Sequence, residues 1–356
     1  MHRKFTLLFA LLLLLSAVTR ADKVDDYVKA EMQKQRIPGL SLAVVKDGKI
    51  IKAQGYGLAN VEHNIPAKPE TVYKIASISK QFLAAGILLL AQDGKLRVDD
   101  KVSQYLDGTP DTWKNITIRH FLTHTSGVVR EAPGFNPFKV QDDFDVIKTA
   151  FPAPLQFTTG EKYQYCNVGY FSLAEIIRRV SGKGWDEFLQ ERVFGPSGMT
   201  ATRPTSYKVV VPHRAAGYDW NSDTMQNALD YLAMRPSGAF LSTVLDLAKW
   251  DAMLYSDKIL SAATKEQMWT PMPLNNGTKS PYGFGWELSP LGTHKQIGHG
   301  GSLPGFRSHL SRFVDDKLSI IVLTNSGNAN PQAVVKGVAA LYFPDLATAA
   351  KAAGGN

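Results

Sequence analysis

The stretch that begins at Ser77 combines two residue types that together can carry out acyl transfer. Lys80 follows Ser77 by three positions, so on a helix both side chains lie on one face. A serine hydroxyl is a weak nucleophile and needs a neighbouring group to accept its proton. A helix that begins near Ser77 would add unpaired N–H groups and a positive dipole end, both suited to an oxyanion. The pair predicts a serine nucleophile, although this spacing also arises by chance.

Two later motifs contain the other residue types that such a nucleophile needs. Tyr165 and Asn167 stand two positions apart in a polar stretch before a helix. A phenol has a reference pKa of about 10, and a nearby ammonium group would lower that pKa towards the range of a usable base. His299 stands among glycines, where a substrate backbone can approach closely. The chain therefore contains candidates for a second proton carrier and for a substrate-binding segment.

In this order the motifs resemble those of the penicillin-recognising serine hydrolases. That family includes class C β-lactamases, D-alanyl-D-alanine carboxypeptidases, D-aminopeptidases and related esterases. Its signature is Ser-x-x-Lys, then Tyr-x-Asn, then Lys-Thr-Gly or a His-x-Gly variant, and residues 122–127 and 282–286 also look like the family. The resemblance covers nearly the whole chain after residue 21 and implies a β-lactamase/transpeptidase-like fold.

The resemblance also implies a role for each motif residue. Ser77 would be the acylated nucleophile, and Lys80 would share its proton. Tyr165 would be the general base for attack and then the acid for the leaving group. Asn167 would hydrogen-bond Lys80 and the acyl side of the substrate. Water would resolve the acyl-enzyme, so neither a metal nor an organic cofactor is implied.

The third motif would form the opposite wall of the pocket. The resemblance implies that His299, Gly300 and Gly301 line this wall and that the N–H groups of Ser77 and Ser302 form the oxyanion hole. Lysine, which many relatives carry in place of His299, attracts substrate carboxylates, whereas histidine with a pKa of about 6.5 is mostly neutral at pH 7. A rise in activity towards anionic substrates at low pH would indicate that a charged His299 performs the role of lysine.

This substitution favours an esterase or a peptidase or amidase directed at D-amino acids. A β-lactamase or D-alanyl-D-alanine carboxypeptidase remains an alternative, so the predicted partners are small esters, amides or peptides, including peptidoglycan stem peptides and β-lactams. A non-catalytic sensor or scaffold that binds peptidoglycan stems is the alternative from another class. The complete Ser77, Lys80 and Tyr165 set argues against that alternative, and the loops at 131–145 and 207–231 would select the acyl donor.

Three other residues invite a chemical interpretation. Arg307 would meet a substrate carboxylate or form a surface ion pair. His124 suggests a Ser-His-Asp triad, but its setting in Leu-Thr-His-Thr-Ser-Gly favours a structural, hydrogen-bonded loop. Cys166 has no neighbour in the sequence that would stabilise a thiolate. We therefore assign catalysis to none of the three.

The order of strand-like and helix-like segments predicts an α+β fold. Residues 25–35 resemble a helix, and Asp47-Gly48 marks a hairpin between two β-rich runs. Strand signals return after residue 282 and are followed by a terminal helix. We predict an α/β sandwich in which an antiparallel sheet, flanked by helices, is built from both chain ends. The sheet lobe would comprise residues 22–80 and 280–350, and a mostly helical lobe, residues 81–279, would be inserted between them.

The first 21 residues have the pattern of a secretory signal peptide. A basic tip precedes an apolar run that is too short for a typical membrane span, and Ala21 marks the expected cleavage site. Removal of Arg3, Lys4 and Arg20 lowers the formal charge from +8 to +5. We expect a secreted or periplasmic protein, one domain over 22–356, with no stable membrane anchor and no nucleic-acid partner. A single cysteine excludes an intramolecular disulfide.

Overall fold

The computed structural model describes residues 23–139, 141–231 and 236–346. The predicted signal peptide at residues 1–21 lies outside these ranges. Within them, no helix combines the length and the apolar character needed to cross a membrane.

The described ranges contain strands of two to twelve residues and helices of three to fifteen residues. The strands are β1 (Gly39–Lys46), β2 (Lys49–Asn60), β3 (Ile65–Pro66), β4 (Tyr73–Lys74), β5 (Arg203–Pro204), β6 (Tyr218–Asn221), β7 (Thr224–Asn227), β8 (Phe240–Ser242), β9 (Glu287–Leu288), β10 (Gln296–Leu303), β11 (Phe306–Phe313) and β12 (Leu318–Thr324). The helices are α1 (residues 23–35), α2 (Ser79–Gln92), α3 (Ile118–Leu122), α4 (Asp143–Lys148), α5 (Asn167–Ser181), α6 (Trp185–Leu189), α7 (Gly195–Ser197), α8 (Val244–Met253), α9 (Ala262–Met268) and α10 (Pro331–Tyr342).

The central sheet is antiparallel and is built from both ends of the chain, as predicted. In the described residues it has seven strands in the order β3-β2-β1-β12-β11-β10-β9. Strands β1 and β12 are hydrogen-bonded neighbours, with Leu42 opposite Val322. The predicted hairpin joins β1 to β2, and Asp47 and Gly48 both have the positive φ angles of a two-residue turn of this type. The early and late segments therefore form one sheet.

Helices cover both faces of this sheet. Along β1, Leu40, Leu42 and Val44 belong to a core cluster that they share with α1 and α10. Ala43 and Val45, which alternate with them, belong to the larger cluster that contains α2. The layers confirm the predicted α/β sandwich, and they explain why β1 reads as a continuous apolar run rather than an alternating one.

Helix α2 is the buried axis of the helical side. Every residue from Ser79 to Leu90 is buried, which agrees with the almost uniformly apolar sequence. The ring of Phe82 meets three other rings edge-on, with centroids 5.0 Å from Phe194, 5.8 Å from Phe240 and 5.3 Å from Trp250. Packing on all sides holds the first turn of α2 in place, and the candidate nucleophile stands directly before it.

Two details differ from the predicted elements. The inserted lobe also contains the β6–β7 hairpin and the short strands β5 and β8, which form a small sheet with β4 of the preceding segment. Strands of two to four residues are too short to show an alternating pattern. The first of the strand signals that return after residue 282 produces only the two-residue strand β9, because Gly285 adopts φ +81° and interrupts the extended backbone before it.

Candidate active site

Ser77 lies in a tight 3-10 turn formed by residues 76–78. The α-helix itself begins at Ser79, so the prediction of a helix that starts near Ser77 was two residues early. Ala76 has φ +48°, a left-handed conformation that residues with a Cβ atom rarely adopt. Ala76 and Ile78 are buried, whereas Ser77 is partly exposed. The turn presents the Ser77 side chain to the adjoining cleft.

Lys80 lies behind the nucleophile and is completely buried. Its Nζ donates hydrogen bonds to Oγ of Ser77 at 3.2 Å and to the carbonyl oxygen of Ser237 at 2.8 Å. The same nitrogen lies 4.8 Å from the centre of the Tyr165 ring. The predicted i,i+3 contact is therefore present, and Ser237 is an additional anchor that the sequence motifs did not indicate.

Tyr165 lines the same cleft as Ser77, and its ring lies beside the Lys80 ammonium group. Burial raises the pKa of this phenol well above its usual value, although the hydrogen bond to Ser77 and the charge of Arg130 act in the opposite direction. The expectation that neighbouring positive charge would lower this pKa was wrong, because desolvation of the phenolate outweighs it. In the substrate-free protein, Tyr165 is a neutral phenol.

Asn167 begins helix α5, and the thiol of Cys166 caps that helix. Cys166 Sγ accepts a hydrogen bond from the Gly169 N–H at 3.3 Å, and burial raises the pKa of the thiol to about 11. The Asn167 side chain donates from Nδ2 to Glu131 at 2.6 Å. Among the described residues, Oδ1 of Asn167 accepts no hydrogen bond. The expected hydrogen bond from Lys80 to Asn167 is therefore not formed between these residues, because the Asn167 side chain is oriented by its hydrogen bond to Glu131.

Strand β10 packs directly against the nucleophile turn. A Cβ atom at Gly301 would lie 2.2 Å from the carbonyl oxygen of Ile75 and 2.2 Å from Oγ of Ser308. Ser308 Oγ itself donates to that Ile75 carbonyl at 2.8 Å. Only glycine permits this approach. The contact brings Gly300 and Ser302 to the same cleft as Ser77.

His299 is buried between two hydrogen bonds. Its Nδ1–H donates to the Gly300 carbonyl at 2.6 Å, and its Nε2 accepts from the Tyr282 hydroxyl at 2.7 Å. Burial and the charge of Lys80 lower the pKa of His299 to about 3. The imidazole is therefore neutral at pH 7, as the sequence predicts, and a pKa of about 3 keeps it neutral in mildly acid solution as well.

His124 has the structural role that the sequence favours. It adopts φ +58°, and its buried ring accepts a hydrogen bond from the Cys166 N–H at 3.0 Å. The centroid of the His124 ring lies 4.2 Å from that of the Tyr165 ring and 4.6 Å from that of the Tyr282 ring. His124 therefore supports the Tyr165 segment from behind and is not hydrogen-bonded to Ser77.

The comparisons with known proteins agree with this arrangement. The family model described as Beta-lactamase matches residues 24–342. The chain belongs to this family. It is 32% identical over 334 residues to Penicillin-binding protein 4* of Bacillus subtilis (strain 168), covering 87% of this chain and 73% of that protein. It is 26% identical to a D-aminopeptidase of Gluconobacter oxydans (strain 621H), covering 87% of this chain and 61% of the relative.

Solved structures show the same fold. The octameric penicillin-binding protein homologue from Pyrococcus abyssi superimposes with a TM-score of 0.80 at 28% identity, covering 91% of this chain and 77% of that one. This β-lactamase-family protein is thus a serine-type hydrolase with the α+β fold expected from its sequence. It spans less than two thirds of the D-aminopeptidase relative.

The cleft of this β-lactamase-family hydrolase has a volume of about 770 Å³. It brings together four of the residues proposed for the site, Ser77, Tyr165, Asn167 and His299, with the glycine segment of β10. Lys80 does not line the cleft itself, but its Nζ is hydrogen-bonded to Ser77, which does. The described residues contain no cluster of three or more His, Cys, Asp or Glu side chains able to hold a metal ion.

Four charged residues also line the cleft: Arg130, Glu131, Glu287 and Arg307. Only Arg307 was singled out from the sequence. Its Nε donates to the Gly327 carbonyl at 2.6 Å, and no carboxylate of the described residues forms an ion pair with it, so the surface ion pair is not formed there. One feature of the sequence could have pointed to Glu287. It follows Trp286, which is fully buried, and successive side chains of a strand point to opposite faces, so Glu287 points away from the side that buries Trp286.

Proposed function

We propose that this protein is an exported serine hydrolase that forms an acyl-enzyme on Ser77. It acts on esters or on amides and peptides of D-amino acids. The observation that carries the proposal is that Nζ of the buried Lys80 is hydrogen-bonded to Oγ of Ser77 at 3.2 Å, in a cleft that Tyr165 also lines. A nucleophile held between two proton carriers can lose its proton during attack and have it returned to the leaving group.

In the acylation step, Oγ of Ser77 forms a bond to the substrate carbonyl carbon. The hydroxyl proton passes to Nζ of Lys80, 3.2 Å away, which accepts it when Lys80 is an uncharged amine; Lys80 later returns this proton to Tyr165, after Tyr165 has protonated the leaving group. The backbone N–H groups of Ser77 and Ser302 stabilise the oxyanion. The carbon–oxygen or carbon–nitrogen bond of the substrate then breaks, and the phenol of Tyr165 supplies the proton that the leaving group needs.

In the second step, water resolves the acyl-enzyme. Tyr165 and Lys80 take one proton from the attacking water, and the water oxygen bonds to the acyl carbon. The ester bond to Ser77 breaks, the proton returns to Oγ, and the acid product leaves. Asn167 orients the acyl group from the cleft wall, where Glu131 fixes its amide.

The substrate preference follows from the neutral wall at β10. A histidine with a pKa of about 3 supplies no cation for the carboxylate of a β-lactam or of a peptide C-terminus. The D-aminopeptidase among the relatives supports an amide or peptide substrate. For this reason we expect β-lactams and D-alanyl-D-alanine peptides to be poorer substrates than esters and D-aminoacyl amides.

A panel of four substrates tests this proposal: a simple ester, a D-aminoacyl amide, a D-alanyl-D-alanine peptide and a β-lactam. The expected result is turnover of the ester and the D-aminoacyl amide, abolished by Ser77→Ala. Binding of peptidoglycan fragments with no turnover of any substrate would instead support the sensor alternative. Export is tested separately, by sequencing the N-terminus of the protein recovered outside the cytoplasm, which should begin at Asp22.

A further inference from the structure

Glu287 occupies a defined position on the wall of the cleft. It is the first residue of β9, and its register partner on β10 is Gly298. Glu287 lines the cleft together with His299 and Gly300 of β10, and the backbone N–H of Gly300 stabilises the charged form of its carboxylate. Glu287 is thus positioned by the sheet itself and not by a loop.

The carboxylate has no cation to balance it. Within the described residues, no Lys, Arg or His side chain forms an ion pair with Glu287, whereas Glu131 in the same cleft has Arg130 at 3.8 Å. Burial raises the pKa of Glu287, and the single backbone hydrogen bond works against that shift. A partly desolvated carboxylate without a counter-charge is unfavourable. A positively charged group on a bound substrate would relieve that penalty.

The nearest titratable group on β10 does not oppose this assignment. His299 is neutral, and both of its ring nitrogens are engaged by Gly300 and Tyr282. It therefore neither neutralises Glu287 nor attracts a carboxylate. Glu287 is therefore the charged side chain that β9 and β10 contribute to the cleft.

We propose that Glu287 is a specificity-determining residue that binds a cationic group of the substrate, an ammonium or quaternary ammonium near the scissile carbonyl. The inference rests on the proposed acyl-enzyme function, because turnover at Ser77 reports the preference. Esters and amides that carry a positive charge should react faster than their uncharged isosteres. A carboxylate at the same position should react more slowly than either.

Two matched substrate pairs test this inference. The first pair varies the leaving group, N-acetyl-D-alanine choline ester against its uncharged 3,3-dimethylbutyl isostere. The second varies the acyl side, D-alanine p-nitroanilide against N-acetyl-D-alanine p-nitroanilide. For at least one pair we expect kcat/KM to favour the cation by roughly tenfold or more, as an ion pair in a partly desolvated cleft should give. The Glu287→Gln variant, which keeps the acceptor for Gly300, should bring that ratio close to one.

The variants distinguish the possible outcomes. Glu70→Gln, an equal change of net charge on the surface, should leave the ratio as it is, and Glu287→Arg should reverse it. In wild-type protein, added salt should lower the ratio, which provides a test that needs no variant. A ratio that is unchanged in Glu287→Gln, or that falls in Glu131→Gln instead, would overturn the inference. Absence of fluorophosphonate labelling at Ser77 would overturn the proposed function itself. Labelling at Ser77 without a charge preference that depends on Glu287 would overturn only the present inference.

Discussion

The hydroxyl of Tyr282 donates a 2.7 Å hydrogen bond to Nε2 of His299 and so holds the imidazole as the neutral tautomer. The other ring nitrogen donates to the Gly300 carbonyl. A protonated ring would lose the acceptor that Tyr282 needs and would place a charge in a buried site near Lys80. The two contacts explain why the pKa of His299 falls to about 3.

Because of these hydrogen bonds, we predict that protonation of His299 does not affect activity at ordinary pH. Since its pKa lies near 3 rather than near 6.5, the ring stays neutral throughout the range from about pH 5 to pH 8. The rate of acylation by a neutral ester should show no inflection near pH 6.5 that depends on this residue. The measurement is the pH profile of kcat/KM for wild type and His299→Gln. An inflection near pH 6.5 that disappears in the variant would contradict the neutral assignment.

Removal of either proton carrier should slow acylation while leaving the fold intact. Lys80→Met and Tyr165→Phe should each lower the acylation rate by at least ~10²-fold, the lower end of general acid–base contributions. Stopped-flow measurement of the first turnover with an activated ester provides the rate. Lys34→Met and Tyr27→Phe are matched controls, because Lys34 is exposed on α1 and Tyr27 packs between the terminal helices. Variants at Lys80 and Tyr165 that react as fast as these controls would remove both residues from the mechanism.

The contact between β10 and the nucleophile turn predicts a strict requirement for glycine. In Gly301→Ala, the new methyl group meets the Ile75 carbonyl at 2.2 Å, so the strand and the turn must separate. We expect a loss of about 1–3 kcal/mol in the free energy of unfolding, as for other overpacked sites, together with a large loss of acylation. Urea denaturation and fluorophosphonate labelling measure the two effects.

Gly300→Ala is the comparison for that experiment. Its added methyl group would lie 3.3 Å from Nδ1 of His309, a side-chain atom that can move. The loss of stability should therefore be smaller than in Gly301→Ala. Equal losses would show that the close approach of Gly301 to Ile75 is not what requires glycine there.

A second histidine, remote from the cleft, should make stability depend on pH. His294 lies between Asp316 at 2.8 Å and Asp345 at 3.1 Å, and its ring stacks on Phe343. Burial opposes the charged form, but the hydrogen bonds and charges of the two aspartates raise the pKa of His294 overall. A raised pKa in the folded state stabilises the fold below the unfolded-state pKa, and this contribution is lost as the pH rises through the folded-state pKa.

The corresponding experiment is urea unfolding of wild type and His294→Gln at several pH values. The variant should be less stable than wild type in mildly acid solution, and the difference should shrink as the solution becomes alkaline. A difference that instead grows with pH would show that the charged imidazole is not the stabilising species.

The sequence predicted the elements that local patterns specify. The order of Ser77, Tyr165 and His299 identified the cleft, and Asp47-Gly48 identified the hairpin that opens the sheet. The left-handed conformation of Ala76 was not predictable, because alanine itself disfavours it and only the packing around the turn imposes it.

Residue environments account for the other differences. The pKa directions of Tyr165 and His299 depend on how deeply each side chain is buried, which a motif does not specify. The hydrogen bond from Asn167 to Glu131 joins residues 36 positions apart, and the position of Glu287 depends on the pairing of β9 with β10. Such contacts are set by tertiary structure, so sequence motifs alone could not assign them.

The central claim is that Ser77 forms a covalent acyl-enzyme. The most direct measurement is the intact mass of the protein after brief incubation with an activated ester, followed by peptide mapping of the modified residue. The expected result is a mass increase equal to one acyl group, located on Ser77, absent from Ser77→Ala and accumulating more slowly in Tyr165→Phe. An adduct that persists unchanged in Ser77→Ala, or hydrolysis of the ester with no acyl group on Ser77 at any time, would contradict it.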